Sequence, residues 1–266
     1  MKLFIENKTI LNEVEQTSFK FEKDIQSLVE KNTENVFNLK FIKSELSVGK
    51  YRIDTLCFDE ENNSFVIIEY KKGSSYSVID QGYTYLQLLL NNKSEFLLVL
   101  SQYFNRVLKT EDIDWSQSKI VFISPSFNSY QKDSVNFKGL PFELWEIKKY
   151  LNGVVVLNQH HSNSKESIET LNPNNNSTIS QVSKEVKVVD ENYHTSKSSQ
   201  LLIDKWEGLK EEVSKLDNVE IIPKNNYISL MLNGKTLCYL IFRKNTISLE
   251  ISRGNVNPDG SKSKNY

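Results

Sequence analysis

The sequence has few of the residues from which disulfides and soft-metal sites are built. Its 266 residues include two cysteines and three histidines. Cys57 and Cys238 lie far apart in apolar, strand-like patterns, which argues against a disulfide framework and against a cysteine zinc site. We therefore expect a reducing, cytoplasmic compartment, and we expect any metal ion to be bound by oxygen atoms.

Long hydrophobic runs and an excess of positive charge are also missing. The apolar runs at 86–90 and 96–100 are much too short to cross a bilayer, and the N-terminal MKLFIENKTI lacks the apolar core of a signal peptide. The formal net charge is −1, so a nucleic acid would have to be bound by a local basic patch rather than by the field of the whole chain. We expect no membrane partner.

One stretch, Tyr51–Tyr85, organises the rest of the sequence. Its pattern predicts two antiparallel strands, Tyr51–Phe58 and Ser64–Lys71, joined by the polar turn DEENN and followed by a helix over Val78–Asn91. The unbroken apolar run at 65–68 is typical of a strand covered on both faces. That run leads directly into Glu69 and Lys71, and such charges are costly at the end of a buried strand unless they are paired, hydrated or bound to a metal ion.

The register of this hairpin predicts a pair of carboxylates. If the turn is symmetric about Glu61 and Asn62, facing residues have numbers that sum to 123, so Asp54 faces Glu69. Two carboxylates directly opposite each other destabilise a sheet, whereas a divalent cation between them removes the repulsion. Oxygen ligands suit Mg²⁺ or Mn²⁺, and Lys71 shares a face with Glu69 because side chains alternate along a strand.

The ordered residues Asp54, Glu69-Tyr70-Lys71 and Gln81, with Tyr85 four positions later, resemble the PD-(D/E)XK nuclease superfamily, in particular its RecB-like and NucS-like members. The resemblance implies that the Asp and the Glu hold the metal and that the Lys orients or activates water. In the phosphodiesterase interpretation, the main-chain carbonyl of Tyr70 is a third ligand. From about Phe19 to about Gln159, the chain is also similar to a bacterial group labelled "predicted transport protein", which has a small C-terminal domain.

The resemblance and the surrounding sequence together give a set of candidate site residues. Glu30, on a predicted helix that runs from Thr17 or Ser18 to about Phe37, matches a helix glutamate that points toward the metal in the superfamily. The catalytic candidates are Asp54, Glu69, Lys71 and Gln81. The metal ligands are Asp54, Glu69 and Glu30. The residues expected to bind nucleic acid are Arg52, Lys72, Tyr85 and Lys50.

The remaining sequence predicts two domains of a mixed α/β (α+β) protein. Residues 1–159 form the restriction-endonuclease-like domain, a mixed sheet flanked by helices, in which Glu95–Ser101 and Lys119–Ser124 are strands and Gln102–Thr110 is a short helix. A hairpin over Phe142–Leu151 and Val154–Gln159 follows. Residues 160–199, rich in Asn and Ser, predict a disordered linker. Residues 200–253 predict a helix and a β-meander, shorter than in the similar group, and 254–266 a polar tail.

Three functions are compatible with this pattern. The first is a Mg²⁺- or Mn²⁺-dependent endonuclease or related phosphodiesterase that acts on nucleic acid, on DNA rather than RNA, in bacterial defence or repair, with pairing of two copies as one arrangement. The second is a non-catalytic nucleic-acid-binding or scaffold module on the same fold. The third is a structural ion cluster that ends a sheet. The placement of the charges after an apolar run, beside the helix of Gln81, argues against the third, and the first is the preferred interpretation with the second as its alternative.

Overall fold

The computed structural model describes residues 2–73, 77–135, 140–160, 178–232 and 235–251. The chain divides into two compact units, Met1–Glu34 with Leu39–Val188 and Asn35–Asn38 with Val189–Tyr266. In the described part of the chain, no helix is long and apolar enough to cross a membrane. Both cysteines are free and buried.

The first unit is built on a mixed sheet. The strands are β1 (Leu3–Asn7), β2 (Ile10–Val14), β3 (Gln16–Thr17), β4 (Lys40–Val48), β5 (Tyr51–Asp59), β6 (Ser64–Tyr70), β7 (Lys119–Ser124), β8 (Phe142–Tyr150) and β9 (Val155–His160). The helices are α1 (Glu22–Glu30), α2 (Thr33–Phe37, which continues into the second unit), α3 (Val78–Asn91), α4 (Lys93–Phe104), α5 (Ser129–Ser134) and α6 (Thr178–Glu185), with 3₁₀ turns at Thr110–Asp112 and Trp115–Gln117.

The main sheet has seven strands among the described residues, in the order β3-β8-β7-β6-β5-β4, with β9 paired to β8. Its centre is β6, which is antiparallel to β5 and parallel to β7. All seven residues of β6 are buried, as predicted from the apolar run. The predicted fold class, a mixed sheet flanked by helices, is confirmed.

Helices cover both faces of this sheet. The apolar side of α3 packs on the face that carries Leu56, Phe65 and Ile67. Side chains of neighbouring residues on a strand point to opposite faces, and α1 contacts β5 and β6 from the other face, where it meets Thr55. The ends of β5 and β6 therefore lie between two helices, and each helix can place side chains there.

Three expectations for this unit are wrong. Glu95–Ser101 is not a strand but part of α4, because Phe96, Leu97 and Leu100 are buried at helical spacing while Leu98 is 60% exposed. No helix covers 105–109 among the described residues, because α4 ends at Asn105 in the left-handed conformation, with φ +51°. The helix predicted to begin at Thr17 or Ser18 begins at Glu22 and is interrupted after Glu30.

The predicted linker is only partly accessible to comparison. Its residues 161–177, like the predicted tail at 254–266, lie outside the described residues. In the remainder, α6 and a further helix, α7 (Glu191–Thr195), replace the expected disorder. Val182 and Val186 are buried in the core of the first unit, and the main chain of Lys187 forms hydrogen bonds with the Ser116 carbonyl and the Gln117 side chain, so packing and hydrogen bonds together hold this segment.

The second unit is a helix on a meander, as predicted. After α7 it contains α8 (Gln200–Val213), β10 (Val219–Pro223), β11 (Ile228–Leu232), β12 (Lys235–Phe242) and β13 (Ile247–Ile251). Successive strands pair antiparallel in the order β10-β11-β12-β13. Trp206 of α8 is almost fully buried and meets the ring of Phe242 edge-on, with 5.3 Å between ring centroids. Phe242 therefore serves in packing.

A glycine sets the distance between α3 and the sheet. A Cβ added at Gly82 would lie 2.6 Å from Cε1 of Phe142 on β8. We predict that Gly82→Ala lowers the free energy of unfolding by about 1–3 kcal/mol, since overpacking at a buried ring outweighs the gain in helix propensity. Thermal unfolding of the full chain measures the effect.

Gly208 of α8 provides the control, because a Cβ there meets nothing within 4 Å. Gly208→Ala is expected to leave stability unchanged or to raise it by up to about 1 kcal/mol. Equal unfolding temperatures for the two variants would contradict the close approach of α3 to β8.

Candidate active site at the end of the central hairpin

The site lies where β5 and β6 stop pairing. Every pair in their ladder, from Asp59↔Ser64 to Thr55↔Ile68, has numbers that sum to 123, so the predicted register is confirmed. The next pair in this register would be Asp54 and Glu69, but the ladder ends before it. β5 continues to Tyr51 paired only with β4. The two strand ends thus separate at the two predicted carboxylates.

Two carboxylates take the place of the missing ladder bonds. The backbone N–H of Asp54 donates to Oε1 of Glu69 at 3.1 Å. In return, the backbone N–H of Tyr70 donates to Oδ2 of Asp54, also at 3.1 Å. Each side chain therefore binds the main chain of the other strand, which brings both carboxylates to the gap between the strand ends.

Lys71 lies beside this pair. Its ammonium Nζ is 3.5 Å from Oε2 of Glu69, and its backbone N–H donates to the carbonyl of Ile123 on β7 at 2.9 Å. The Glu69 side chain is 1% exposed, whereas that of Lys71 is 21% exposed. The ammonium thus reaches the carboxylate from the solvent side, while β7 fixes its backbone.

Helix α3 contributes an amide and a phenol. Ser77 caps its N-terminus by accepting a hydrogen bond from the N–H of Asp80. From the first turn, Nε2 of Gln81 donates to Oε2 of Glu69 at 3.1 Å and to the hydroxyl of Tyr85 at 3.3 Å. The Tyr85 hydroxyl donates to the carbonyl of Arg52 at 3.2 Å. The predicted element Gln-x-x-x-Tyr therefore connects Glu69 to the main chain of β5.

The electrostatics of the site favour neutralisation of the Asp54 and Glu69 carboxylates. Burial, and then the neighbouring Asp54, raise the pKa of Glu69 to about 8. Burial also raises the pKa of Asp54, against the opposing effects of the Tyr70 N–H and Lys71. Burial and the Glu69 carboxylate raise the pKa of Tyr85 to about 12. Two buried carboxyls with raised pKa values are typical of a pair that shares a proton or a cation.

Glu30 is not brought to the pair. Its Oε1 accepts hydrogen bonds from the hydroxyl of Thr55 at 2.7 Å and from Nε2 of Gln26 at 2.9 Å. Thr55 follows Asp54 directly on β5, so the two side chains point to opposite faces of the sheet. Glu30 therefore occupies the α1 face, while the carboxylates of Asp54 and Glu69 meet on the α3 face.

The predicted basic residues are exposed and lie close to the site along the chain. Arg52 is exposed, and its Nε pairs with Oε2 of Glu45 at 2.9 Å. Lys50 lies at the β4–β5 turn with its ammonium 5.3 Å from the centre of the Tyr51 ring. Lys72 follows Lys71 and donates through its ammonium to the carbonyl of Lys20.

Two residues that the sequence did not single out also reach the strand ends. Glu22 accepts a hydrogen bond from the backbone N–H of Lys72, and Gln26 donates to the carbonyl of Asp54. Both lie on α1, one turn apart. In the sequence, the spacing of these polar residues beside the apolar positions Ile25 and Val29 could have indicated that they face the sheet.

The donor set fits a hard divalent cation. Mg²⁺ and Mn²⁺ prefer oxygen ligands, and Mg²⁺ is commonly bound through one or two carboxylates while it keeps several waters. Asp54 and Glu69 supply two carboxylates at one place. Across the described ranges, no group of three or more His, Cys, Asp or Glu side chains is arranged to hold a metal ion. The site therefore fits a metal ion held by the carboxylates of Asp54 and Glu69, without Glu30.

Comparison with known proteins gives one strong match. No family model matches the chain. An uncharacterized protein of Haemophilus influenzae (strain ATCC 51907 / DSM 11121 / KW20 / Rd) is 38% identical over 247 residues, which cover 92% of this chain and 82% of that protein. The chain belongs to the family of this Haemophilus protein. The comparisons do not bear on the resemblance to the "predicted transport protein" group.

Some solved structures match about half of this chain, with lower sequence identity. EndoMS in its apo form has 18% identity and a TM-score of 0.32, and the match covers 51% of this chain and 49% of EndoMS. A repair endonuclease from Pyrococcus abyssi has 15% identity and a TM-score of 0.29, and covers 50% of each chain. This chain thus spans about half the length of those proteins. At these scores, the likeness carries no argument about activity.

The raised pKa of Glu69 predicts how stability depends on pH. In the metal-free protein, the carboxyl titrates near pH 8 when folded and near its ordinary 4.5 when unfolded, so between these values the folded chain binds more protons. The free energy of unfolding should therefore fall as pH rises from 5 to 8. Denaturant unfolding in chelator, repeated across this range, measures the slope, and Glu69→Gln should flatten it.

Glu146→Gln is the matched control. Burial by itself would raise the pKa of Glu146, but bonds from Lys132 and the Phe127 N–H dominate and lower it, so this carboxyl titrates below the tested range. The control should keep the wild-type slope between pH 5 and 8. A wild-type slope in Glu69→Gln would show that Glu69 is charged throughout this range.

Proposed function

We propose that the protein is a metal-dependent phosphodiesterase that acts on nucleic acid, with DNA as the preferred substrate. One observation carries this proposal: the carboxylates of Asp54 and Glu69 bind each other's strand at the gap between β5 and β6, and the Lys71 ammonium lies 3.5 Å from Glu69. Two acids at one strand end can hold a metal ion that assists hydrolysis of a phosphodiester, and an amine beside them can orient water or stabilise developing charge.

The roles of the residues follow from their contacts. Asp54 and Glu69 would hold Mg²⁺ or Mn²⁺, which when bound supplies Lewis-acid polarisation of the phosphate and a lower pKa for coordinated water. Lys71 approaches from the solvent side, where its ammonium can orient the attacking water or stabilise negative charge that develops on the phosphate.

Gln81 fixes the orientation of the Glu69 carboxylate. Its amide binds the same Glu69 oxygen that faces Lys71, and Tyr85 holds that amide in turn. A ligand whose rotamer is fixed by such outer contacts loses less entropy when it binds a metal ion. Gln81 therefore keeps one Glu69 oxygen directed toward Lys71.

The surface around the site supplies phosphate contacts. Arg52 and Lys50 are exposed on β5 and its turn, and Lys72 follows the catalytic Lys71. Lys and Arg contacts to phosphates position a nucleic acid without reading its sequence. The whole chain has a net charge of −1 and supplies no broad positive field. Binding through these three cations should therefore weaken as salt concentration rises, but less steeply than binding through a larger basic patch.

A non-catalytic binding module is the second candidate, and one observation favours it. Both oxygens of Glu69 already have protein partners, and its pKa of about 8 makes the side chain mostly neutral at pH 7. A neutral carboxyl does not attract a cation. In this case, the basic residues around the site would bind nucleic acid without cleaving it.

Cleavage assays on the purified full chain separate the two candidates. Single-stranded, double-stranded and branched DNA and RNA are incubated with Mg²⁺, with Mn²⁺ or with chelator. We expect cleavage, fastest on DNA, that chelator abolishes and added Mn²⁺ restores. Asp54→Asn should bind the nucleic acid in a gel-shift assay without cutting it. Binding by the wild type without cleavage under every condition would establish the binding module.

Substitution of Lys71 is the most direct test of the mechanism by a single change. We predict that Lys71→Ala lowers the cleavage rate by at least ~100-fold, since it removes the group that orients water or stabilises developing charge. The matched control is Lys132→Ala, because Lys132 is likewise half-buried and ion-paired, to Glu146 at 2.8 Å. The control should keep the wild-type rate, and both variants should keep the wild-type circular dichroism spectrum. A Lys71→Ala protein with the wild-type rate would exclude the mechanism.

A further inference from the structure

The gap between β5 and β6 raises the question of what fixes the spacing of the reactive groups. A ladder would normally hold two strands at a set distance, but here it ends at Thr55↔Ile68, one residue before the carboxylates. The bonds between Asp54 and Glu69 close the gap on the α3 face. On the other face, α1 packs against both strands. Its side chains are therefore in a position to hold the main chain of both strand ends.

Gln26 holds the β5 end. Its side chain is buried, with 4% exposure. Its Nε2 donates to the carbonyl of Asp54 at 2.9 Å and to Oε1 of Glu30 at 2.9 Å. Its Oε1 accepts from the ammonium of Lys23 at 3.1 Å. Because both ends of the amide are bonded, its orientation is fixed, and the Asp54 carbonyl is fixed with it.

Glu22 holds the continuation of β6. Its Oε1 accepts the backbone N–H of Lys72 at 2.8 Å. The ammonium of Lys72 donates to the carbonyl of Lys20, in the segment that leads into α1. This double connection lies one residue after Lys71. It therefore restrains the backbone that carries the catalytic ammonium.

Glu22 and Gln26 are four residues apart, so they lie on one face of α1, one above the other. A helix is stiff over one turn, so two side chains on the same face keep a fixed separation. We propose that Glu22 and Gln26 are positioning residues, which together set the distance between Asp54 on β5 and Lys71 after β6. This inference rests on the proposed function for its catalytic meaning.

Glu30 takes a different role in this arrangement from the one that the superfamily resemblance implies. One of its oxygens binds both the Gln26 amide and the hydroxyl of Thr55. Glu22, Gln26 and Glu30 follow one another at intervals of four along α1. Glu30 thus orients the Gln26 amide from the α1 face and supports Asp54 indirectly.

The first experiment replaces Gln26 and follows hydrogen exchange in the metal-free protein. Gln26→Leu keeps most of the side-chain volume but removes both hydrogen-bonding groups. We expect the peptide that spans 52–56 to exchange about fivefold faster or more, since each lost hydrogen bond shifts local opening by about this factor. The peptide that spans 69–73, which Glu22 holds, should change less in this variant and respond to Glu22→Ala. Titration with Mn²⁺ alone should show an affinity lower by about 10–100-fold, the usual cost of removing an outer contact of a metal ligand.

Gln131→Leu is the matched control. Gln131 is also 4% exposed, but it caps its own short helix through the N–H of Asn128. The control variant loses a buried amide without loss of a bond to β5 or β6. It should leave exchange at 52–56 and 69–73 and the Mn²⁺ affinity at wild-type values. If both variants change these quantities equally, general destabilisation is the cause and the inference is wrong.

The second experiment uses Glu22, which is exposed, so its substitution is expected to leave the fold intact. Glu22→Ala removes the acceptor for the Lys72 N–H and should lower kcat by about tenfold with KM for nucleic acid nearly unchanged. Glu22→Gln keeps a carbonyl oxygen at the same place and removes only the charge, so it should retain wild-type exchange, Mn²⁺ affinity and kcat. If the Gln variant is as impaired as the Ala variant, Glu22 acts through its charge or as a ligand, which overturns the positioning role.

The measurements separate failure of this inference from failure of the proposed function. Unchanged exchange at both strand ends in Gln26→Leu and in Glu22→Ala would overturn the inference, whatever the activity. Faster exchange in a protein that neither binds Mn²⁺ nor cleaves nucleic acid would refute the phosphodiesterase. It would still support α1 as the element that spaces Asp54 and Lys71.

Discussion

The arrangement of the first unit depends on one exchange of hydrogen bonds, in which two carboxylates accept main-chain N–H groups across the gap between β5 and β6. A carboxylate accepts hydrogen bonds strongly, so Asp54 and Glu69 can satisfy the backbone groups that the ended ladder leaves without partners. The same exchange brings two acidic groups together in a buried place. The backbone N–H groups therefore gain hydrogen-bond acceptors, but two carboxylates that repel each other are buried together.

The surrounding residues reduce this cost only in part. Lys71 provides an opposite charge, but at 3.5 Å and from the solvent side, and the Gln81 amide provides a dipole. Burial nevertheless dominates, since the pKa of Glu69 remains raised to about 8. A divalent cation would neutralise both acids at once, whereas a proton neutralises one. On this view, the site has the chemistry of an ion-binding centre even though only two of its acids converge.

The parts of the site that the sequence predicted are those set by local geometry. A symmetric turn fixed the β5–β6 register, and therefore the facing of Asp54 and Glu69, while alternation placed Lys71 on the same face. The bounds of α3 followed from the apolar spacing and from three serines that could cap a helix, Ser74, Ser75 and Ser77, which placed Gln81 in the first turn. In contrast, EFLLVLS reads equally well as a buried strand or a buried helix. The choice depends on packing of Phe96 and Leu100 against distant residues.

The parts that were missed depend on partners far away in the chain. Gln26 bonds a carbonyl 28 residues later, and Glu22 an N–H 50 residues later, so neither role is encoded in local spacing. Glu30 occupies a position that matches the superfamily motif, but its carboxylate accepts hydrogen bonds from Gln26 and Thr55 on the α1 face of the sheet. The two helices therefore contact different parts of the two acidic residues. Helix α3 binds the carboxylate side chains, and α1 binds the main chain that carries them. Substitutions on α3 should alter the acids themselves, whereas substitutions on α1 should alter their spacing.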